Sequence, residues 1–98
     1  MKLIVLEPAQ NEVRDATDYY SEHNPTAARA FVEEIRRSFT IIKAHPLRGP
    51  STDEGERKYV ARTFPYTIIY RVTDTTVVVL AVAHHRREWG YWRTRGDG

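Results

Sequence analysis

Several features are missing from this sequence, and each absence excludes a class of protein. The 98 residues contain no cysteine, which excludes disulfides and thiolate metal sites. The longest uninterrupted apolar run, Val77–Ala83, is far shorter than the roughly 18 residues that a membrane-spanning helix needs. The apolar N-terminal stretch is closed by Glu7-Pro8 and is too short for a signal peptide. We therefore predict a cytoplasmic protein that does not associate with membranes.

The length and the distribution of charge limit the organisation and the partners. We predict a single domain over residues 1–95 and a disordered Gly-Asp-Gly tail at 96–98. Residues 1–56 carry seven basic and ten acidic side chains, a net of −3, whereas 57–98 carry eight and three, a net of +5. Twelve of the fifteen basic residues are arginine, whose planar fork suits phosphate and carboxylate groups. The basic half indicates an acidic partner, nucleic acid or protein; the alternative is a solvated face with no partner.

The first half of the chain has the pattern of two amphipathic helices. Apolar residues at steps of four, three and four predict a first helix that ends near His23, on Ala9, Val13, Ala16 and Tyr20. Asn24-Pro25 then combines a capping residue with a proline suited to a first helical turn. A second helix of about five turns follows and ends at His45-Pro46. The link between the two is so short that it predicts an antiparallel helical hairpin.

The remaining segments have the pattern of strands. Lys2–Leu6 is a short apolar run, and beyond residue 56 the apolar period changes to two. The predicted strands there are Arg57–Thr63, Tyr66–Val72 and Thr76–Ala83. The order β-α-α-β-β-β predicts an α+β fold with the helical hairpin packed on one face of a small, mainly antiparallel sheet.

An ordered set of short motifs along nearly the whole chain resembles the RelE/ParE toxin superfamily. The motifs are Tyr19-Tyr20, Pro25, Ala27 to Phe31, His45-Pro46-Leu47-Arg48-Gly49, Arg57, Arg62, Phe64-Pro65-Tyr66-Thr67-Ile68-Ile69-Tyr70, Val82-Ala83-His84-His85-Arg86-Arg87 and Tyr91-Trp92-Arg95. The resemblance implies a growth-inhibiting toxin that a cognate antitoxin neutralises. In one branch, RelE, the toxin cuts mRNA in the ribosomal A site, whereas ParE toxins act on DNA gyrase.

The two branches differ in what they require of the residues. A ribonuclease that works without metal needs proton donors and acceptors and cations around the phosphate. The candidates for such catalysis are Arg62, His84, His85, Arg86 and Tyr91. The RelE branch commonly has arginine where this chain has Thr67, and the Phe64-Pro65-Tyr66 opening is more typical of ParE. We therefore predict a gyrase inhibitor that is not an enzyme. The alternatives are a ribosome-dependent mRNA endonuclease and a degenerate member that only binds its antitoxin.

The predicted contact residues lie in the basic half of the chain. The candidates for binding the target or the antitoxin are Arg57, Lys58, Arg62, Arg86, Arg87, Tyr91, Trp92 and Arg93. We expect the antitoxin to present an acidic segment that folds on binding. Trp92 is expected to pack on the domain, with Tyr91 more exposed. No metal and no cofactor are predicted, since adjacent histidines on a strand point to opposite faces.

Overall fold

The computed structural model describes residues 1–95, so the tail predicted at 96–98 lies outside the described residues. Its elements follow the predicted order: β1 (Lys2–Val5), α1 (Glu7–His23), α2 (Pro25–Ala44), β2 (Arg57–Val60), β3 (Tyr66–Val72), β4 (Thr76–His84) and a short 3-10 helix (Tyr91–Thr94). The α+β class is confirmed. In this part of the chain, neither helix combines the length and the apolar character needed to cross a membrane.

The helical hairpin is set by a single connecting residue. The Asn24 side chain accepts hydrogen bonds from the backbone N–H groups of Thr26 and Ala27, at 3.1 and 3.2 Å, and caps α2. Pro25 occupies the first turn of α2, where a missing N–H costs nothing. With only Asn24 between them, the two helices run antiparallel and direct Phe31 and Ile35 into the core.

The sheet has the strand order β1-β4-β3-β2, with β1 parallel to β4 and the other two pairs antiparallel. The register of β4 against β3 shifts at one point: Ile69 pairs with Ala81, but Tyr70 pairs with Val79. Leu80 is therefore an extra residue, and both Leu80 and Ala81 face away from the helices. This bulge gives the second face of the sheet an apolar cluster of its own.

Two apolar clusters result, one on each face of the sheet. Between helices and sheet lie Phe31, Ile35, Ile68, Tyr70 and Val79, among others. On the opposite face Ile69, Val78, Leu80 and Ala81 pack with Trp92. The expected packing of Trp92 on the domain is confirmed, with Tyr91 more exposed.

The predicted extent of β2 is wrong at its C-terminal end. The strand stops at Val60 rather than Thr63. The chain turns there because the backbone N–H of Thr63 donates to a carboxylate oxygen of Glu34 at 2.9 Å. Glu34 lies on α2 and is 6% exposed, so this buried acceptor draws residues 61–65 toward the helix. A contact between residues so distant in sequence has no local signal.

Candidate functional site

After β4 the chain crosses the sheet face that the helices leave open. We call residues 85–95 the C-terminal strap. Gly90 has a φ of 87°, a backbone conformation that favours glycine, and turns the strap into the 3-10 helix. Beyond this turn, Trp92 is 1% exposed and packs in the same cluster as Ile69 and Leu80. The strap therefore closes the second face of the sheet.

Glu12 of α1 holds the far end of the strap. Its carboxylate accepts hydrogen bonds from Arg95 Nη2 at 2.9 Å, from the Tyr91 hydroxyl, and from the backbone N–H of Val82 at 2.9 Å. Val82 lies where β1 no longer pairs with β4. Arg95 also donates to the carbonyl oxygen of Leu80 at 2.9 Å. Side chains thus satisfy the part of the β4 edge that β1 does not reach.

Glu56 holds the middle of the strap. Its carboxylate is bound by Arg93, with Nε to Oε2 at 3.1 Å and Nη2 to Oε1 at 3.2 Å, and it accepts from the Thr52 hydroxyl. The hydrogen bonds from Arg93 outweigh burial and lower the pKa of Glu56 from 4.5 to about 2. Glu56 is 1% exposed, and its lowered pKa keeps it ionised at neutral pH. Arg93 therefore balances a carboxylate charge in the interior.

The predicted contact residues fall into two groups. Four of them serve the protein's own packing: Arg57 donates to the Gly49 carbonyl oxygen at 2.7 Å, the Tyr91 hydroxyl donates to Glu12, Arg93 pairs with Glu56, and Trp92 is buried. The other four predicted contact residues, Lys58, Arg62, Arg86 and Arg87, are at least partly exposed and form no ion pair within residues 1–95. Their side chains are the ones that a partner can reach.

The two adjacent histidines lie on opposite faces of the sheet. The His84 ring packs edge-on against Tyr66 on the helix side, with 5.0 Å between ring centroids. Burial, and then the nearby Arg86, lower the pKa of His84. His85 lies on the other face, with Nε2 at 3.0 Å from the Thr67 hydroxyl oxygen. The two imidazoles are therefore directed to different surroundings and do not form one acid–base pair.

The tyrosines near His84 keep their hydroxyl protons at neutral pH and so do not act as general bases. A cleft of about 280 Å³ between α1 and the end of β4 is lined by Tyr66, His84 and Tyr91, among others. Burial, and then the nearby Tyr20, raise the pKa of Tyr66 to about 12. Burial and the hydrogen bond to Glu12 raise the pKa of Tyr91 still further. Both phenols stay protonated at neutral pH, and the Tyr91 hydroxyl donates its hydrogen bond to Glu12.

The five groups proposed for RNA cleavage are brought together only in part: His84, His85 and Tyr91 are among the residues that line one cleft, whereas Arg62 and Arg86 are not. The two histidine rings are separated by the sheet, the Tyr91 hydroxyl is committed to Glu12, and Arg62 lies exposed in the turn after β2. Across the described chain, no three His, Asp or Glu side chains come close enough to hold a metal ion. Contact with a partner, in contrast, requires only side chains that are exposed.

One aromatic side chain in the strap is available for such contact. Trp89 is 52% exposed and stands perpendicular to the buried Trp92, with ring centroids 4.6 Å apart. Lys58 Nζ lies 5.5 Å from the centroid of the Trp89 ring, and the Arg87 guanidinium lies 3.7 Å from that of Tyr91. Sequence reasoning selected Trp92 and missed Trp89, because only the turn at Gly90 decides which indole is buried.

Comparison with known proteins adds a family and a fold. The family model described as ParE toxin of type II toxin-antitoxin system, parDE, matches residues 3–89. A solved structure described as the chromosomal ParDE TA system from P. aeruginosa contains a chain that is similar to this one with a TM-score of 0.76. The two chains are 18% identical, and the match covers 86% of this chain and 95% of that one. No curated protein matches the sequence.

Proposed function

The chain belongs to the ParE toxin family of type II toxin–antitoxin systems, as its sequence resemblance predicted, and from this premise we propose that it inhibits growth by acting on DNA gyrase. The observation that carries the proposal is the C-terminal strap. Trp92 fills the sheet face opposite the helices, and the Tyr91 hydroxyl donates its hydrogen bond to Glu12, which supports a strap used for contact rather than for RNA cleavage. The protein acts as a binding inhibitor in the cytoplasm, where gyrase acts on DNA.

Expression of the toxin alone tests the target. Action on gyrase predicts linearised plasmid DNA and a DNA-damage response, and the purified protein with gyrase should accumulate cleaved DNA. Intact DNA together with in-frame cuts in translated mRNA would instead assign the chain to the ribonuclease branch. Normal growth with neither effect would support a member that only binds its antitoxin.

The proposed antitoxin presents an acidic segment that folds over the exposed cations of the strap. Arg86 and Arg87 are both exposed and lie outside the internal ion pairs of residues 1–95. Alanine at both positions should weaken antitoxin binding and reduce its salt dependence, since exposed charge pairs are screened by salt.

A matched pair of exposed cations on α2 provides the control. Alanine at both Arg36 and Lys43 removes the same charge elsewhere on the surface. Binding and its salt dependence should change less than with the substitutions at Arg86 and Arg87. Equal effects from the two pairs would contradict a charge contact at the strap.

A further inference from the structure

The strap places one exposed indole among cations. Trp89 is 52% exposed, so more than half of its surface contacts solvent, although an apolar ring of this size is ordinarily buried. Its perpendicular contact with Trp92 holds the ring against the folded core. The indole is therefore a fixed aromatic surface that is open to a partner.

The charges around Trp89 are unbalanced. Arg93 and Arg95 are neutralised by Glu56 and Glu12, so they add little to the field outside the protein. Lys58, Arg86 and Arg87 remain, and the only acid between residues 85 and 95 is Glu88, although Asp53 and Glu54 act on the neighbouring Arg93. This surface attracts a negatively charged ligand.

A cleft lies next to the indole. It has a volume of about 210 Å³, and Trp89, Arg87, His85 and Thr67 are among its lining residues. His85 and Thr67 are joined through the His85 Nε2 and the Thr67 hydroxyl, 3.0 Å apart, so polar groups as well as aromatic carbon face the space. An aromatic ring, flanking cations and hydrogen-bonding groups are together the elements that bind an unstacked base and its phosphates.

We propose that this surface binds single-stranded DNA, with one base stacked on Trp89 and the adjoining phosphates held by Lys58, Arg86 and Arg87. The inference deepens the proposed action on gyrase, on which it rests, because an enzyme that cuts DNA exposes strand ends to a bound inhibitor. An acidic peptide pairs with the cations, but the exposed indole beside the cleft contributes less to its binding than to the binding of a nucleic-acid base. Nucleic acid uses both features, and the proposed antitoxin segment then competes with DNA for Arg86 and Arg87.

The test is the binding of a labelled oligothymidylate of roughly twelve nucleotides to the full chain, measured by fluorescence anisotropy. Trp89→Ala should weaken binding by about tenfold, and Trp89→Phe should restore part of the loss because it keeps an aromatic face. The double change Arg86→Ala/Arg87→Ala should lower the slope of log affinity against log salt by about 1.4, for two phosphate contacts. Val60→Ala, at an exposed apolar site on β2, is the control for Trp89→Ala, and Arg36→Ala/Lys43→Ala on α2 is the control for the double arginine change.

Several outcomes overturn the proposal. They are failure of the oligothymidylate to bind, equal binding by the Trp89→Ala variant, and binding of a blunt duplex as tight as that of the single strand. Tighter binding of oligouridylate would assign the surface to RNA, and binding of polyglutamate that depends equally on Trp89 would assign it to an acidic protein. Thermal unfolding of each variant confirms that it is folded. Accumulation of cleaved DNA by gyrase is measured separately, so loss of oligonucleotide binding with cleavage retained rejects this surface but not the proposed target.

Discussion

Replacing Glu56 by glutamine should destabilise the protein to an extent that depends on pH. The substitution preserves the shape of the side chain and removes the charge that Arg93 balances. Glu56 is 1% exposed, which disfavours its charge, but the two hydrogen bonds that it accepts from Arg93 outweigh this and favour its ionised form in the folded state. A second cation, Arg71, lies 4.0 Å away and would also lose its counter-charge.

The size of the effect follows from the pKa of Glu56. One pKa unit corresponds to about 1.4 kcal/mol, so lowering the pKa from 4.5 to about 2 stabilises the folded state by about 3 kcal/mol at neutral pH. Removing one partner of a buried ion pair costs about 3–5 kcal/mol. Because the Arg93 side chain is 35% exposed, water compensates for part of the loss, and we expect about 2–3 kcal/mol. For a domain of this size, that lowers Tm by roughly 15 °C.

The sign of the pH dependence is fixed by the lowered pKa. Above the unfolded value of 4.5 the carboxylate is ionised in both states, and the wild-type protein has its full advantage over the glutamine variant. As pH falls from 4.5 to about 2, the unfolded chain binds the proton first, and the advantage is lost. Urea unfolding followed by circular dichroism, from pH 7 down to 2, should show the two proteins converging in free energy of unfolding.

Glu54→Gln is the matched control for the Glu56 prediction. Glu54 lies two residues away in the same loop, is exposed, and within the described chain forms no ion pair. The same chemical change should alter the free energy of unfolding by less than about 0.5 kcal/mol. A Glu56→Gln variant as stable as Glu54→Gln at pH 7, or a difference that persists unchanged at pH 2, would refute the reasoning.

Two further substitutions test the attachment of the strap. Glu12→Gln should lower the free energy of unfolding by about 2–3 kcal/mol, measured by thermal unfolding, because Arg95 and the Tyr91 hydroxyl lose a charged acceptor. The control Glu22→Gln, on the exposed side of α1, should cost less than about 0.5 kcal/mol. Equal losses in the two variants would show that the Glu12 contacts contribute nothing. Trp92→Ala should cost about 3–5 kcal/mol, whereas Trp89→Ala should cost less than about 1 kcal/mol. Reversed losses of stability would mean that the two indoles have exchanged roles.

The helices and the order of elements along the chain could be predicted because their signals are local. The stripe of apolar residues in α2 and the Asn24-Pro25 start depend only on neighbours in sequence, and the structure places α2 at Pro25–Ala44. The extent of β2 could not be predicted, since the buried carboxylate of Glu34 on α2 fixes where the chain turns. The local sequence pattern therefore predicts that a strand is present, whereas a residue distant in sequence determines where the strand ends.

The candidate site was predicted less well for a similar reason. The basic residues of the C-terminal half are visible in the sequence, but their partners are not. Glu12 and Arg95 are separated by 83 positions, and nothing near either residue indicates that they pair. The turn at Gly90 likewise buries Trp92 and exposes Trp89, an assignment that composition and spacing do not contain. The charged residues could be counted from the sequence, but which of them pair and neutralise each other depends on the fold.

The strap also determines when the chain can fold during synthesis. Within residues 1–95 the first strand pairs only with β4, and the partner of Glu12, Arg95, lies at the end of that range. Such contacts between distant residues cannot form until the later residue has left the ribosome. While residue 95 is still inside the ribosome, the C-terminal strap does not cover the second face of the sheet, and Glu12 of α1 has not yet paired with Arg95. The chain therefore completes its fold only after translation has passed residue 95.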